Sequence, residues 1–216
     1  MKNIIQKVLV LGASGQIARH VIDQLADKPG VTQTLFARQP VKIHKPHPAN
    51  SRIIMGDVFN HTALEQAMVG QDMVYANLTG EDLDLQAKAV IAAMKAAGVR
   101  RLIFVLSLGI YDEVPGKFGE WNNATIGEPL RPFRRAADAI EASGLDYTIL
   151  RPAWLTDEDT VDYELTTRNE PFKGTVVSRK SVAALISDMI DKPEQHIGEN
   201  IGVNQPGTDG DKPYFM

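Results

Sequence analysis

The stretch Lys7-Val8-Leu9-Val10-Leu11-Gly12-Ala13-Ser14-Gly15-Gln16-Ile17-Ala18 decides the fold. An apolar run of strand length enters a glycine turn, and a segment of helical period leaves it. Strand, tight turn and helix, in that order, bring a ligand's phosphates to backbone amides at the edge of a parallel sheet. Gly12 permits the turn, Gly15 lets the backbone approach a diphosphate, and Ala18 keeps the helix close to the sheet. Ala13, Ser14, Gln16 and Ile17 supply the remaining turn and first-helix backbone, where the helix dipole favours an anion.

Outward from this turn, short β-rich apolar runs alternate with longer helical stretches, the pattern of stacked βαβ units. Strands are expected at residues 7–11, 33–37, 52–55, 73–76, 102–106, 147–150 and 200–203, and helices at 16–26, 63–68, 83–97, 134–142 and 181–190. Ala97-Gly98 and Ser143-Gly144 each place a glycine where a helix ends in a left-handed turn before the next strand. The expected architecture is α/β: a Rossmann-type doubly wound parallel sheet flanked by helices. One domain takes up residues 1–216, with residues 151–178 and 204–216 as a small C-terminal substrate-side loop and tail. Residues 41–50, with Pro46 and Pro48, read as a loop whose His44 and His47 have no acidic neighbour, so no metal is assigned. The segment from Pro206 to Pro213 reads as an exposed arm that docks only at Tyr214-Phe215.

The second strand ends in Phe36-Ala37-Arg38. NAD-binding folds usually carry an acid there for the ribose hydroxyls, whereas a guanidinium pairs with a 2′-phosphate, so NADP is favoured over NAD. The alternative is a solvated arginine.

Composition sets wider bounds. The chain has 216 residues, 44% hydrophobic and 23% charged, and a formal net charge of -4. That balance is the balance of an ordinary soluble domain and argues against a phosphate-tracking nucleic-acid binder. With no cysteine, disulfides, thiolate nucleophiles and cysteine-ligated zinc are excluded. No run approaches the ~20 apolar residues of a membrane span, and no signal-peptide pattern opens the chain. The expectation is a cytoplasmic monomer or homodimer whose partner is a small-molecule substrate, without nucleic acid or membrane.

The glycine turn, Gly56-Asp57-Val58, Ser107, the run Ser143-Gly144-Leu145-Asp146-Tyr147-Thr148-Ile149-Leu150-Arg151-Pro152 and the late Val177-Ser178-Arg179-Lys180-Ser181-Val182-Ala183 together resemble the atypical short-chain dehydrogenases. The likeness is to members with an NmrA-like or biliverdin-reductase-B-like single NAD(P)-binding domain. The resemblance implies that Asp57 and Val58 line the adenine and that Ala76, Asn77 and Leu78 pack against the cofactor. It also implies that Pro152, Ala153, Trp154 and Leu155 lie along the nicotinamide side. Asp57 has a second reading as a turn or helix cap.

Typical members of that superfamily use a Tyr-x-x-x-Lys pair to exchange a proton with an alcohol or carbonyl. Here Pro115 stands four residues after Tyr111, and Arg134 and Arg135 stand where many relatives have lysine. An arginine holds charge near ribose or phosphate but is a poor proton shuttle. Ser107 and Tyr111 are the residues expected to orient an acceptor, or else to satisfy backbone and to pack. The five carboxylates of residues 156–164 crowd one segment and read as a solvated lobe over the cleft. The expected activity is NADP(H)-dependent hydride transfer to a small conjugated acceptor such as a flavin or quinone. The alternatives are a non-catalytic NAD(P)-sensing regulator and, further off, a sugar-nucleotide epimerase-like enzyme.

Overall fold

Val8, Leu9, Val10 and Leu11 are all fully buried, as a strand becomes only when both faces of its sheet are covered. The computed structural model describes residues 5–216. Along the chain lie β1 (Gln6–Leu11), α1 (Gln16–Gln24), β2 (Val31–Ala37), a 3-10 turn (Pro40–Lys42), β3 (Ser51–Met55), α2 (His61–Met68), β4 (Met73–Ala76), α3 (Leu83–Ala97) and β5 (Arg101–Val105). There follow α4 (Gly116–Ile126), α5 (Arg131–Glu141), β6 (Asp146–Pro152), β7 (Trp154–Thr156), β8 (Glu164–Thr166), β9 (Val176–Ser178), α6 (Arg179–Asp191) and β10 (Glu199–Asn204).

Eight strands form one sheet in the order β3-β2-β1-β4-β5-β6-β10-β8. Every neighbouring pair is parallel except β10 with β8. The order reverses direction at β1, so a crevice opens between the carboxyl ends of β1 and β4. Alternation along each strand divides the core. Val8, Val10, Leu35, Ile201 and Val203 face α1 and α6, while Leu9, Leu11, Phe36, Phe104 and Ile149 face α2, α3 and α5.

The expected doubly wound sheet is therefore present, and β4 and α3 have the expected limits. Four elements lie beyond the sequence reading. The helix α4 carries Gly116 and Gly119 and buries only Phe118 and Asn122, so it has no apolar stripe by which to be recognised. The strands β7, β8 and β9 have three residues each, too few for a period. The tail corrects the expectation of an arm that docks only at its end. The Thr208 carbonyl accepts from the Thr175 amide at 3.0 Å, Asp209 accepts from the Gly174 amide at 3.3 Å, and Pro213 is buried.

On β6, Arg151 has no solvent exposure at all. Its guanidinium donates to Asn200 Oδ1 at 2.6 Å, to the Thr167 carbonyl at 3.2 Å and to the carboxylate of Glu113. Glu113 in turn accepts from the amides of Gly109 and Tyr111 at 3.0 and 2.9 Å. One buried ion pair thus gives the loop after β5 its shape. Removing one partner strands the other charge in the interior, so Glu113→Ala is expected to cost about 3–5 kcal/mol of stability, read as a shift in the urea midpoint. Glu113→Gln, which keeps an acceptor for one of the two amides and fills the same space, is expected to cost less.

Candidate functional site

At the carboxyl ends of β1, β2, β3 and β4 lies a groove of about 410 Å³. Its floor begins at the glycine turn. Gly12 takes φ +74°, a conformation open to glycine, and the amides of Gly12 and Ala13 both donate to the Phe36 carbonyl, at 3.2 and 3.3 Å. A side chain on Gly12 would stand 2.2 Å from the Asn77 carbonyl, and one on Gly15 would stand 2.0 Å from Asn77 Nδ2. The two glycines therefore let the segment after β4 close against the turn. No side chain caps α1, so its first-turn amides, which follow Gly15 at the rim of the groove, keep their hydrogen-bonding capacity.

Ser14, Arg38, Asp57, Val58, Asn77 and Leu78, all expected from sequence, line this groove with Gly12 and Gly15. Ala13, Ile17 and Ala76 are buried behind it, and Gln16 opens α1. Asp57 borders the groove and accepts from the Phe59 amide at 3.0 Å, a turn cap. Gly56 seats the Phe36 ring, which a Cβ there would meet at 2.4 Å. Sequence reasoning missed Gln39, Lys42, Phe59, Thr79 and Gln86. Lys42 left a signal, a second cation four residues beyond Arg38. Gln86 left none, because it reaches the groove only through the placement of α3. Neither Arg38 nor Lys42 makes an ion pair among the described residues.

Farther along the same edge, Ser107 follows β5. The Leu106 amide donates to the Leu150 carbonyl at 2.8 Å and the Leu108 amide to the Pro152 carbonyl at 3.2 Å, so Ser107 lies beside the end of β6. Pro152 and Ala153 are buried there, and Trp154 and Leu155 are half-buried. Trp154 donates its indole N–H to Asn122 Oδ1 of α4 at 2.9 Å, and its ring centre lies 5.0 Å from that of Trp121. Trp121 of α4 and Trp154 of β7 thus form an aromatic pair at this end of the sheet.

The structure places three expected residues away from the groove. The Tyr111 hydroxyl donates to Glu141 at 2.9 Å and accepts from Asn200 Nδ2 at 2.7 Å, which turns it toward the amino-terminal ends of β6 and β10. Arg134 lies over the Tyr111 ring at 4.6 Å and pairs with Asp138 at 2.9 Å. Arg135 pairs with Asp84 of α3 at 3.1 Å. Each side chain is claimed by a nearer partner. The acidic segment is exposed, yet it is also clipped to α6: Asp157 pairs with Arg179 at 2.9 Å, Asp159 pairs with Lys180, and the Asp162 amide donates to Ser181 at 3.0 Å. His44 and His47 lie in the exposed connection after the 3-10 turn. No helix among the described residues is long and apolar enough to cross a membrane.

Residues 12–193 match the family described as NAD(P)H-binding. A Rossmann-fold NAD(P)-binding family protein from Shigella flexneri is 75% identical, with a TM-score of 0.86 over 98% of this chain and 100% of that one. A wide-type short-chain dehydrogenase/reductase from Veillonella parvula, solved in complex with NADP, is 29% identical, with a TM-score of 0.90 over 97% of this chain and 99% of that one. A protein of Bacillus subtilis called uncharacterized sugar epimerase YhfK is 29% identical over 82% of this chain and 79% of its own length.

Burial, and then the hydrogen bond to Glu141, raises the pKa of Tyr111 above the ordinary 10.0, and burial alone raises that of Tyr75. A tyrosine that ionises less readily folded than unfolded contributes stability that is complete below about pH 10 and is lost as pH rises further. Urea midpoints are therefore expected to fall above that pH, and to fall less steeply in Tyr111→Phe than in the wild type.

Proposed function

Because the chain belongs to the NAD(P)H-binding family, we propose that it is an NADP(H)-dependent oxidoreductase that passes hydride to a small conjugated acceptor such as a flavin or quinone. The observation that carries the cofactor choice is the pair Arg38 and Lys42, both lining the groove and both without a carboxylate partner among the described residues. A 2′-phosphate is the ligand group that such a pair would neutralise. Gly12, Gly15 and the uncapped start of α1 would hold the diphosphate, and Asp57 and Val58 would border the adenine. Ser107, Pro152, Ala153, Trp154 and Leu155 would bound the nicotinamide.

When bound, NADPH would supply the hydride. The chain's own contribution is to orient the acceptor and exclude water, and the aromatic pair of Trp121 and Trp154 suits a flat, delocalised molecule. The Ser107 hydroxyl has no partner among the described hydrogen bonds and is free to orient a polar edge of the acceptor. Tyr111 is tied to Glu141 and Asn200 and gives no proton at the groove. A conjugated acceptor spreads the arriving charge and takes its proton from water, so it fits a site without the Tyr-x-x-x-Lys pair. The same lack speaks against the epimerase reading, and it is also what favours a non-catalytic NAD(P) sensor as the second reading.

Incubation with NADPH and a panel of flavins and quinones separates enzyme from sensor. The proposal expects NADPH consumption with at least one acceptor, and firm NADPH binding without turnover on any of them would favour the sensor. Arg38→Ala is expected to weaken NADPH binding by ~1.5–3 kcal/mol, roughly ten- to a hundredfold, with little effect on NADH. Lys42→Ala, at an exposed site, is expected to cost NADPH only ~0.2–1 kcal/mol. Equal losses for both cofactors in calorimetric titration would remove the basis for NADP. Gly15→Val is expected to stay folded by circular dichroism, with Asn77 displaced and NADPH binding abolished.

A further inference from the structure

The sheet is covered unevenly. On one face α3 and α5 pack together, and α5 lies against β6, but among the described residues no helix covers β10 and β8 beyond it. The residues of β10 that look toward this face are Asn200, Gly202 and Asn204, while Ile201 and Val203 serve the other core. Tyr111 and the segment from Arg168 to Pro171 line one cavity in the gap. Beside it, sharing Arg168 and Asn169, is a cavity of about 490 Å³, within the ~300–1,000 Å³ common for small-molecule sites.

This cavity is distinct from the cofactor groove. It opens at the amino-terminal ends of β6 and β10, where Tyr147 and Glu199 stand, whereas the groove lies at the carboxyl ends of strands on the other side of β5. Along β6 alone, five residue steps at about 3.3 Å each part Tyr147 from Pro152, some ~17 Å.

Its walls have a definite chemistry. Tyr147, on the α5 side of the sheet, supplies the apolar surface, while Leu165 and Ile201 border the cavity but turn their side chains to the other core. Glu141, Glu199 and Arg168 supply the charge, two carboxylates against one guanidinium. Arg168 is already committed, with its Nε 3.3 Å from Glu141 and its guanidinium 4.4 Å over the Tyr111 ring. Glu141 uses one oxygen for Tyr111, Asn200 and Arg168, and its second oxygen has no partner among the described residues. Glu199 Oε2 meets His196 Nδ1 at 2.8 Å, and Oε1 likewise has none. The pKa of Tyr147 is raised by burial first and by the Glu141 charge second, against the smaller opposing effect of Arg168.

We infer that this cavity is a second small-molecule site, and that it takes a compact aromatic or cyclic cation, an amine or amidine. Its ring would lie on Tyr147, and its N–H donors would reach the open oxygens of Glu141 and Glu199. An anion of the same shape would meet two carboxylates and an arginine that is already engaged.

Benzamidine is the probe, with benzoate as its matched anion, in calorimetric titration of the full chain. Benzamidine binds saturably with one site, benzoate does not, and saturating NADPH leaves the benzamidine affinity unchanged. Glu141→Gln weakens benzamidine about tenfold and Glu199→Gln about threefold, as expected for a half-buried and an exposed charge-assisted contact. Glu199→Gln is the safeguard should Glu141→Gln misfold, because Glu199 is exposed. No benzamidine binding, equal binding of benzoate, unchanged affinity in both folded variants, or competition with NADPH would each overturn the assignment. The readout needs no cofactor, so its failure leaves the NADP reading untouched, and the converse holds.

Discussion

The pairing of Arg151 with Glu113 is the interaction on which the rest of the functional edge depends. A guanidinium in the interior is tolerable only when its donors are matched, because the cost of removing it from water is several kcal/mol. Arg151 meets that condition with a carboxylate, an amide oxygen and a backbone carbonyl. These partners come from the loop after β5, from β10 and from the turn after β8, so satisfying one side chain brings three separate stretches of chain to β6. The loop so formed begins at Ser107. Its position at the end of β5 is thus set partly by a charge buried in the neighbouring strand.

A second constraint acts at the other end of the groove and is steric. Gly12 and Gly15 leave room for Asn77, and Gly56 leaves room for the Phe36 ring. With no side chains at these three positions, the ends of β1, β2 and β4 draw together closely enough for backbone amides to line a narrow crevice. The crevice falls where the strand order reverses, so that the adjoining connections diverge to opposite faces and leave the strand ends open.

Charge is distributed to match. The cations beside the groove, Arg38 and Lys42, are unclaimed among the described residues, whereas Arg134, Arg135, Arg179 and Lys180 each have a carboxylate. Asp157 and Asp159 fasten their segment to the first turn of α6. Tyr111, for its part, is held in a hydroxyl and carboxylate network on the sheet face beyond α5. Its ring is bracketed by Arg134 and Arg168.

What the amino-acid sequence determined by itself is what local period and local sterics control. The strand, turn and helix around Gly12, the limits of β4 and α3, and the basic end of β2 could all be read because each depends on residues within a few positions of one another. The resemblance carried Asp57, Asn77 and Ser107 to the groove edge or its continuation. What only the tertiary structure decided is which distant partner claims a polar side chain. Tyr111 turned to Glu141, thirty residues away, and Arg135 to Asp84, fifty-one away. The helix α4 formed over a sequence with no apolar stripe, because Trp154 and Gly109 offered it a surface. Such choices follow from the competition among all the partners that folding brings within reach, and no window of sequence contains that competition.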